Sequence, residues 1–255
     1  MERRAAAAFS PPVLDSSAPG FAAQARALGF PLPVGAVAFD LDGTLLDTAE
    51  DLATAANAML AELGHAPLPT ATVRDFVGKG LVNLVRRSLA AASGSDPDAA
   101  LMERATAACR SHYRDRLCVD TRPFPGVVEG LNALRAAGFP MAVVTNKPDE
   151  FTGPLLERTG LAAYFGLAIG GDTLARKKPD PLPLTHTARH FGVAPARLLM
   201  VGDSANDALA ARAAGAPVFC VPYGYSEGAD VRALDCDAIV ASLCDVARLV
   251  TKAHP

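Results

Sequence analysis

The sequence has no excess of basic charge. Its 255 residues carry 24 Lys and Arg against 27 Asp and Glu, a formal net charge of -3. Nothing is available to neutralise a nucleic-acid backbone, so a small-molecule ligand is expected. Long apolar runs are missing too: Gly, Pro or a charge interrupts each one well short of the roughly 18 residues that cross a bilayer. A soluble protein with no membrane partner is the expectation. The five cysteines (Cys109, Cys118, Cys220, Cys236 and Cys244) are odd in number and nowhere stand at C-x-x-C spacing. That removes the usual zinc site or redox pair and leaves buried, reduced thiols. There is no internal repeat and no low-complexity tract beyond alanine-rich helical stretches. The length and hydrophobic content exclude a disordered or fibrous chain and suit one α/β domain, alone or carrying a smaller insertion.

Residues 1–33 begin with Arg3-Arg4 and four alanines, then turn into a Pro, Ser and Gly mixture. They read as a flexible leader. The apolar stretch Ala5 to Phe9 is shorter than the roughly 7 to 15 residues of a secretory h-region, so a cytoplasmic location is expected.

Beyond residue 33 the chain alternates. Short aliphatic runs at Val34–Leu41, Met141–Thr145, Leu167–Gly170, Leu198–Gly202, Val218–Val221 and Ala238–Val240 read as strands buried on both faces. Helical patterns at Val127–Ala137, Asp149–Thr159, Leu182–Phe191 and Asn206–Ala214 are each followed by a glycine, a helix C-terminal signal. This order predicts a doubly wound, Rossmann-like parallel sheet. One interval breaks the rhythm: Ala49–Leu63, Leu81–Ala92 and Asp98–Leu117 are three helical patterns in a row, too many for one crossover. The expected division is therefore a core over 34–47 and 122–255, with an inserted helical domain over 48–121 that closes at Arg122-Pro-Phe-Pro-Gly126.

Four segments carry chemistry, three of them at strand ends. Ala36-Val-Ala-Phe-Asp-Leu-Asp-Gly-Thr-Leu45 ends in Asp40 and Asp42, which would share one side of a strand and meet where open α/β sheets bind ligands. Two carboxylates so close call for a metal, a perturbed pKa or both. Met141-Ala-Val-Val-Thr-Asn-Lys-Pro148 offers Thr145 and Asn146 beside a helix start suited to an anion; taken alone, it leaves Thr145 open as either N-cap or phosphate ligand. In Arg176-Lys-Lys-Pro-Asp-Pro181 a rigid turn fixes Lys178, either as a phosphate-neutralising ammonium or as part of a solvated basic loop. Leu198-Leu-Met-Val-Gly-Asp-Ser-Ala-Asn-Asp207 ends in Asp203 with Asp207 one helical turn on, as a site residue or as a helix cap. Oxygen-only ligands from Asp40, Asp42 and Asp203 point to Mg²⁺.

In this order on alternating strands, the FDLDGTL, TNK, KPDP and GDSxxD strings resemble the haloacid dehalogenase superfamily of phosphohydrolases, from Val34 to near the C-terminus. The helical insertion resembles that superfamily's α-helical cap. The DLDGTLLDTAEDL opening, Val77-Gly-Lys-Gly80, Pro123-Phe-Pro-Gly126 and GDSANDALAARAAG are most similar to bacterial phosphoglycolate phosphatases. The resemblance implies that Asp40 is a nucleophile forming an aspartyl-phosphate and that Asp42 is the general acid and base. It implies that Thr145 holds phosphoryl oxygens and that Lys178 neutralises charge. Mg²⁺ would be held by Asp40, the Asp42 backbone carbonyl and Asp203, with Asp207 orienting its waters. Gly43, Thr44 and Asn146 fall on the substrate side. Lys79 could contact a substrate carboxylate, or simply divide two helices. Asp42 favours phosphate ester cleavage over dehalogenation, since a halide leaves unprotonated. The implied reaction is hydrolysis of 2-phosphoglycolate; the competing readings are a phosphatase for a sugar phosphate, pyrophosphate or a nucleotide, a sugar phosphomutase, and a non-catalytic phosphometabolite-binding protein. A monomer or homodimer is expected.

Overall fold

The structure, a computed structural model, describes residues 10–253. In chain order its elements begin with β1 (Val13–Leu14), α1 (Phe21–Ala27), β2 (Leu32–Val34), β3 (Ala36–Phe39) and β4 (Leu46–Asp47). Four helices follow, α2 (Ala49–Glu62), α3 (Thr70–Arg74), α4 (Leu81–Ser93) and α5 (Ala99–Asp115). The chain then runs through β5 (Arg122–Pro123), α6 (Val127–Ala136), β6 (Met141–Val144), α7 (Asp149–Arg158), β7 (Leu167–Ile169) and α8 (Leu182–His190). It ends with β8 (Leu198–Gly202), α9 (Ala205–Ala214), β9 (Val218–Cys220), β10 (Ala238–Val240), α10 (Leu243–Leu249) and β11 (Val250–Lys252). Among the described residues no helix is long and apolar enough to cross a membrane.

The aliphatic runs do what their composition dictates. Seven strands form one parallel sheet in the order β1-β10-β9-β8-β3-β6-β7, the expected doubly wound arrangement. β3, β6, β8, β9 and β10 are buried along their whole length, because helices cover both faces and the side chains of either parity need an apolar neighbour. β3 is central. Phe39 stands level with Val143 of β6 on one side and Val201 of β8 on the other, so the residues after these three strands arrive at one place. The connections leave β3 in opposite directions at that point, which opens a crevice at the strand tips.

The first predicted strand, Val34–Leu41, is shorter than its apolar run. Gly35 separates β2 from β3; its amide donates to Arg197 O at 2.8 Å, and a Cβ there would stand 2.6 Å from Val193 Cγ1. Beyond Phe39 the chain curls into a turn, closed by the Leu46 amide on Leu41 O at 2.9 Å.

The helices α2 to α5 pack on one another between β4 and β5. Those two short strands pair antiparallel, Leu46 with Pro123 and Asp47 with Arg122, so the way into the helical region and the way out of it are zipped together. Asp51, fully buried in the first turn of α2, reinforces the junction. Its carboxylate accepts from the Asp120 and Thr121 amides at 3.0 Å each and from Thr121 Oγ1 at 2.6 Å. At the far end Asp98 caps α5 by accepting from the Leu101 amide.

The expected flexible leader is corrected in part. Its residues 1–9 lie outside the described residues, but from Ser10 onward the segment is built into the fold. β1 adds to the edge of the sheet beside β10, with Ile239 N donating to Pro12 O and Ala241 N to Leu14 O. Leu14 is fully buried, Ser16 N donates to Asp245 Oδ1, and β2 pairs with β11. Phe30 stacks edge-on against Phe219 of β9. The Pro, Ser and Gly content marked turns correctly but hid a two-residue strand whose partner lies more than 200 residues away. Because Leu14 is packed, Leu14→Ala is expected to lower unfolding stability by about 2–4 kcal/mol. Urea denaturation measures it, and a loose leader would give no change.

Candidate active site

Asp40, Thr145 and Asp203 each follow the last residue of a strand, β3, β6 and β8, and all three are buried. The polypeptide places them at the crevice because each apolar strand runs out there. Lys178 and Asp207 join them from the loop before α8 and from the first turn of α9. Asp40 Oδ1 accepts from the Leu41 amide at 2.7 Å and from Lys178 Nζ at 3.0 Å. Lys178 Nζ also donates to Asp207 Oδ1 at 2.6 Å. Asp203 Oδ1 accepts from Thr44 Oγ1 and its Oδ2 from the Tyr225 amide, both at 2.8 Å. Asp207 Oδ2 accepts from the Asp203 and Ser204 amides and from Ser204 Oγ. The two readings of Asp207 therefore coexist: one oxygen caps α9 and the other meets Lys178.

Glycines make this crowding possible. A Cβ at Gly202 would stand 2.3 Å from Asp207 Cγ, and one at Gly224 would stand 2.2 Å from Asp203 Cβ. Gly43, at a φ of 86°, also takes a left-handed turn that a side chain resists, and its Cβ would fall 2.4 Å from Asp203 Oδ2.

One carboxylate oxygen from each of Asp40, Asp203 and Asp207 lies within 4.8 Å of the others. Burial, the largest influence, pushes the Asp40 carboxyl up to about 8; Lys178 pulls it back, and the neighbouring Asp207 and Asp203 push it further up. Burial and then Asp207 raise Asp203 to about 7. For Lys178 burial acts downward, but Asp207 and Asp40 outweigh it and hold the ammonium above its ordinary value. One ammonium cannot balance three buried carboxylates, so the group needs protons or a further cation. Hard oxygen donors at these separations fit a divalent ion of the Mg²⁺ type.

Asp42 differs from expectation. It was expected to face the same point as Asp40, two positions along one strand, but β3 ends at Phe39 and Asp42 lies in the turn that follows. Its carboxylate accepts from Thr48 Oγ1 at 2.8 Å and from Lys147 Nζ at 3.0 and 3.1 Å. It is not in the three-carboxylate cluster, which leaves only its backbone carbonyl to serve a metal. Thr48 is braced in turn by Tyr225, whose hydroxyl accepts from the Thr48 amide and donates to Asp47 Oδ1.

Above the carboxylates lies a cavity between the strand tips and the helical region. Asp40, Asp42, Thr145, Asn146 and Lys147 form its floor, and Gly78, Leu81, Leu84 and Tyr113 reach it from the helical region. Thr145 is not the N-cap of α7, which starts after Pro148 without a side-chain cap. Its Oγ1 accepts from the Lys147 amide, leaving the hydroxyl proton for another acceptor. Asn146 uses its side-chain amide to bridge Gly78 O and Lys178 O, tying the Gly78–Gly80 loop to the core, and its Oδ1 is buried with no partner. Thr44 faces Asp203 rather than the cavity. Lys79 is exposed on a separate outer groove with Lys177 and Arg86 and does not line the cavity. The basic group that does is Lys147, its side chain 3% exposed and its Nζ 4.6 Å from the Tyr113 ring centroid. Lys147 stood in the TNK string, where its position gave no sign of its partner; Tyr113 looked like any apolar position of α5.

The family model for haloacid dehalogenase-like hydrolases matches residues 34–215. A phosphoglycolate phosphatase of Nitrosospira multiformis is 57% identical over 223 residues, covering 88% of this chain and 98% of its own. That of Thiobacillus denitrificans is 54% identical over 224 residues, with 88% of this chain and 99% of its own covered. The crystal structure of a predicted phosphoglycolate phosphatase from Haemophilus somnus superposes with a TM-score of 0.80 at 32% identity, over 84% of this chain and 96% of the other.

The raised carboxyls fix a pH dependence. Groups held above their unfolded value of 3.8, at about 8 and about 7, bind protons more tightly in the folded state. Their stabilising contribution in metal-free protein is complete below 3.8, declines as pH rises above that and is gone by about 8. A divalent cation must displace those protons, so it binds better at the upper end of that window. The rise in melting temperature on replacing EDTA with Mg²⁺ is expected to be larger at pH 8 than at pH 6; an equal rise at both would contradict the electrostatic account.

Proposed function

The chain belongs to the haloacid dehalogenase-like hydrolase family, and from that premise we propose that it hydrolyses 2-phosphoglycolate to glycolate and phosphate, with Mg²⁺ as cofactor. The observation that carries the reading is the Asp40 carboxylate. It is buried at the tip of the central strand, with Oδ1 fixed by the Leu41 amide and Lys178 and with Oδ2 free of any partner among the described residues. A carboxylate held this way is oriented for in-line attack on phosphorus.

In the first step an Asp40 oxygen bonds to phosphorus, the ester P–O bond breaks, and the leaving alkoxide takes a proton from Asp42. In the second step water attacks phosphorus, Asp42 takes the water proton, and the bond between phosphorus and Asp40 breaks. Lys178 balances charge between nucleophile and phosphoryl group, and the Thr145 hydroxyl is a donor for a phosphoryl oxygen. Thr48 Oγ1 and Lys147 Nζ both donate to the Asp42 carboxyl group and fix its orientation. Asp40, Asp203 and Asp207 are the carboxylates that would hold Mg²⁺, which when bound adds positive charge beside the transferring group. Asp207, anchored through Oδ2 by the α9 cap, would help to hold that ion without itself moving. The phosphoglycolate phosphatases that are 57% and 54% identical to this chain support the choice of substrate.

Asp40→Asn is expected to reduce turnover by at least about a thousandfold with an unchanged far-ultraviolet circular dichroism spectrum, because an amide keeps the shape but is a poor nucleophile. Rates near wild type would rule out the mechanism. Across a panel of 2-phosphoglycolate, sugar phosphates, pyrophosphate and nucleotides, kcat/KM is expected to be highest for 2-phosphoglycolate. Chelation by EDTA is expected to abolish turnover, and added Mg²⁺ to restore it.

A further inference from the structure

We propose that Lys147 and Tyr113 together form the subsite that receives the substrate's second acidic group, the carboxylate of a small phosphooxy acid. The inference rests on the 2-phosphoglycolate reading and names the residues that would select for it. Lys147 is buried, and an ammonium has three protons to donate. Two face the oxygens of Asp42, at 3.0 and 3.1 Å; the ammonium otherwise lies over the Tyr113 ring, with no further hydrogen-bond acceptor among the described residues. Tyr113 is fully buried, and its hydroxyl has no partner either. The two side chains touch, Nζ standing 4.6 Å from the phenol ring centroid, and both line the cavity above Asp40. A buried phenol hydroxyl with no partner, beside an ammonium that turns one face to a ring rather than to an acceptor, is costly in an empty pocket and becomes favourable once an anion fills it.

The rest of that wall leaves little choice. Leu52, Leu81, Leu84 and Phe151 are apolar, so Lys147 is the cation that a charged group meets there. Its position follows from the reaction: the leaving oxygen must lie against Asp42, and in a phosphooxy acid the carboxylate is one carbon beyond that oxygen. Lys147, bonded to Asp42, stands within that reach. Tyr113 comes from α5 and Lys147 from the end of β6, so this anion would also bridge the helical region and the sheet. Lys79 has no such position, since it lies on the outer groove.

The test compares 2-phosphoglycolate with 2-hydroxyethyl phosphate, which keeps the ester and the length of the leaving group but carries a neutral hydroxyl in place of the carboxylate. Wild-type protein is expected to prefer 2-phosphoglycolate; if it shows no preference, the substrate reading itself fails. Tyr113→Phe is expected to shrink the ratio of the two kcat/KM values by at least about tenfold, the loss falling mainly on KM for 2-phosphoglycolate. Lys147→Met, which also strips Asp42 of a donor and so slows both substrates, is expected to shrink the ratio further. A wild-type preference that survives in both variants would overturn the assignment of the subsite while leaving the substrate reading standing.

Discussion

One buried ammonium organises the strand tips. Lys178 has a side-chain exposure of 1% and stands between Asp40 and Asp207, with Asp203 the third carboxylate of the cluster. A charge in that setting is tolerable only because its partners are hydrogen-bonded on their far sides, Asp40 by the Leu41 amide and Asp207 by the α9 cap. The surrounding geometry follows from this requirement. Gly202 and Gly224 have no side chain because Asp207 and Asp203 occupy the space, and Thr44 and the Tyr225 amide exist at those positions to hold Asp203. The site is thus a charge-balancing problem that backbone amides solve in part, and protons or a further cation must supply the rest.

Much of this was legible in the sequence where the signal is local. Asp40 and Asp203 end apolar strands, and Lys178 precedes a proline, so composition alone places them at element ends. The parallel sheet was legible for the same reason: apolar runs and glycine-terminated helices alternate. What escaped depends on non-local geometry. The direction of the Asp42 carboxylate is set by the turn after Phe39 and by Lys147, about a hundred residues on. Tyr113 becomes a cavity residue only because α5 packs over the sheet tips. Lys79 looked well placed between two glycines, yet the tie from Asn146 to Gly78 O turns that loop so that Gly78 and Gly80, not Lys79, face the cavity.

The helical region and the sheet are joined at a hinge-like junction and again across the cavity, and Arg74 adds bonds to Tyr223 O and Gly224 O. The β4 and β5 pair and the Asp51 carboxylate fix the junction, while Asn146 and Gly78 meet across the cavity mouth. A ligand enters a chamber whose roof and floor are separate parts of the chain. Selectivity can then change through the roof alone, with the carboxylate cluster untouched.

At the opposite side of the sheet, β1 occupies what would otherwise be an open margin. Without residues 10–16, the amides of Ile239 and Ala241 would face solvent unpaired, along a strand whose side chains are fully apolar. Such a margin is a template on which a second molecule can lay its own backbone. A shortened form lacking this strip would keep its chemistry at the far tips of the strands and yet be prone to self-association, so the strip acts as a guard on the sheet as well as a contributor to its stability.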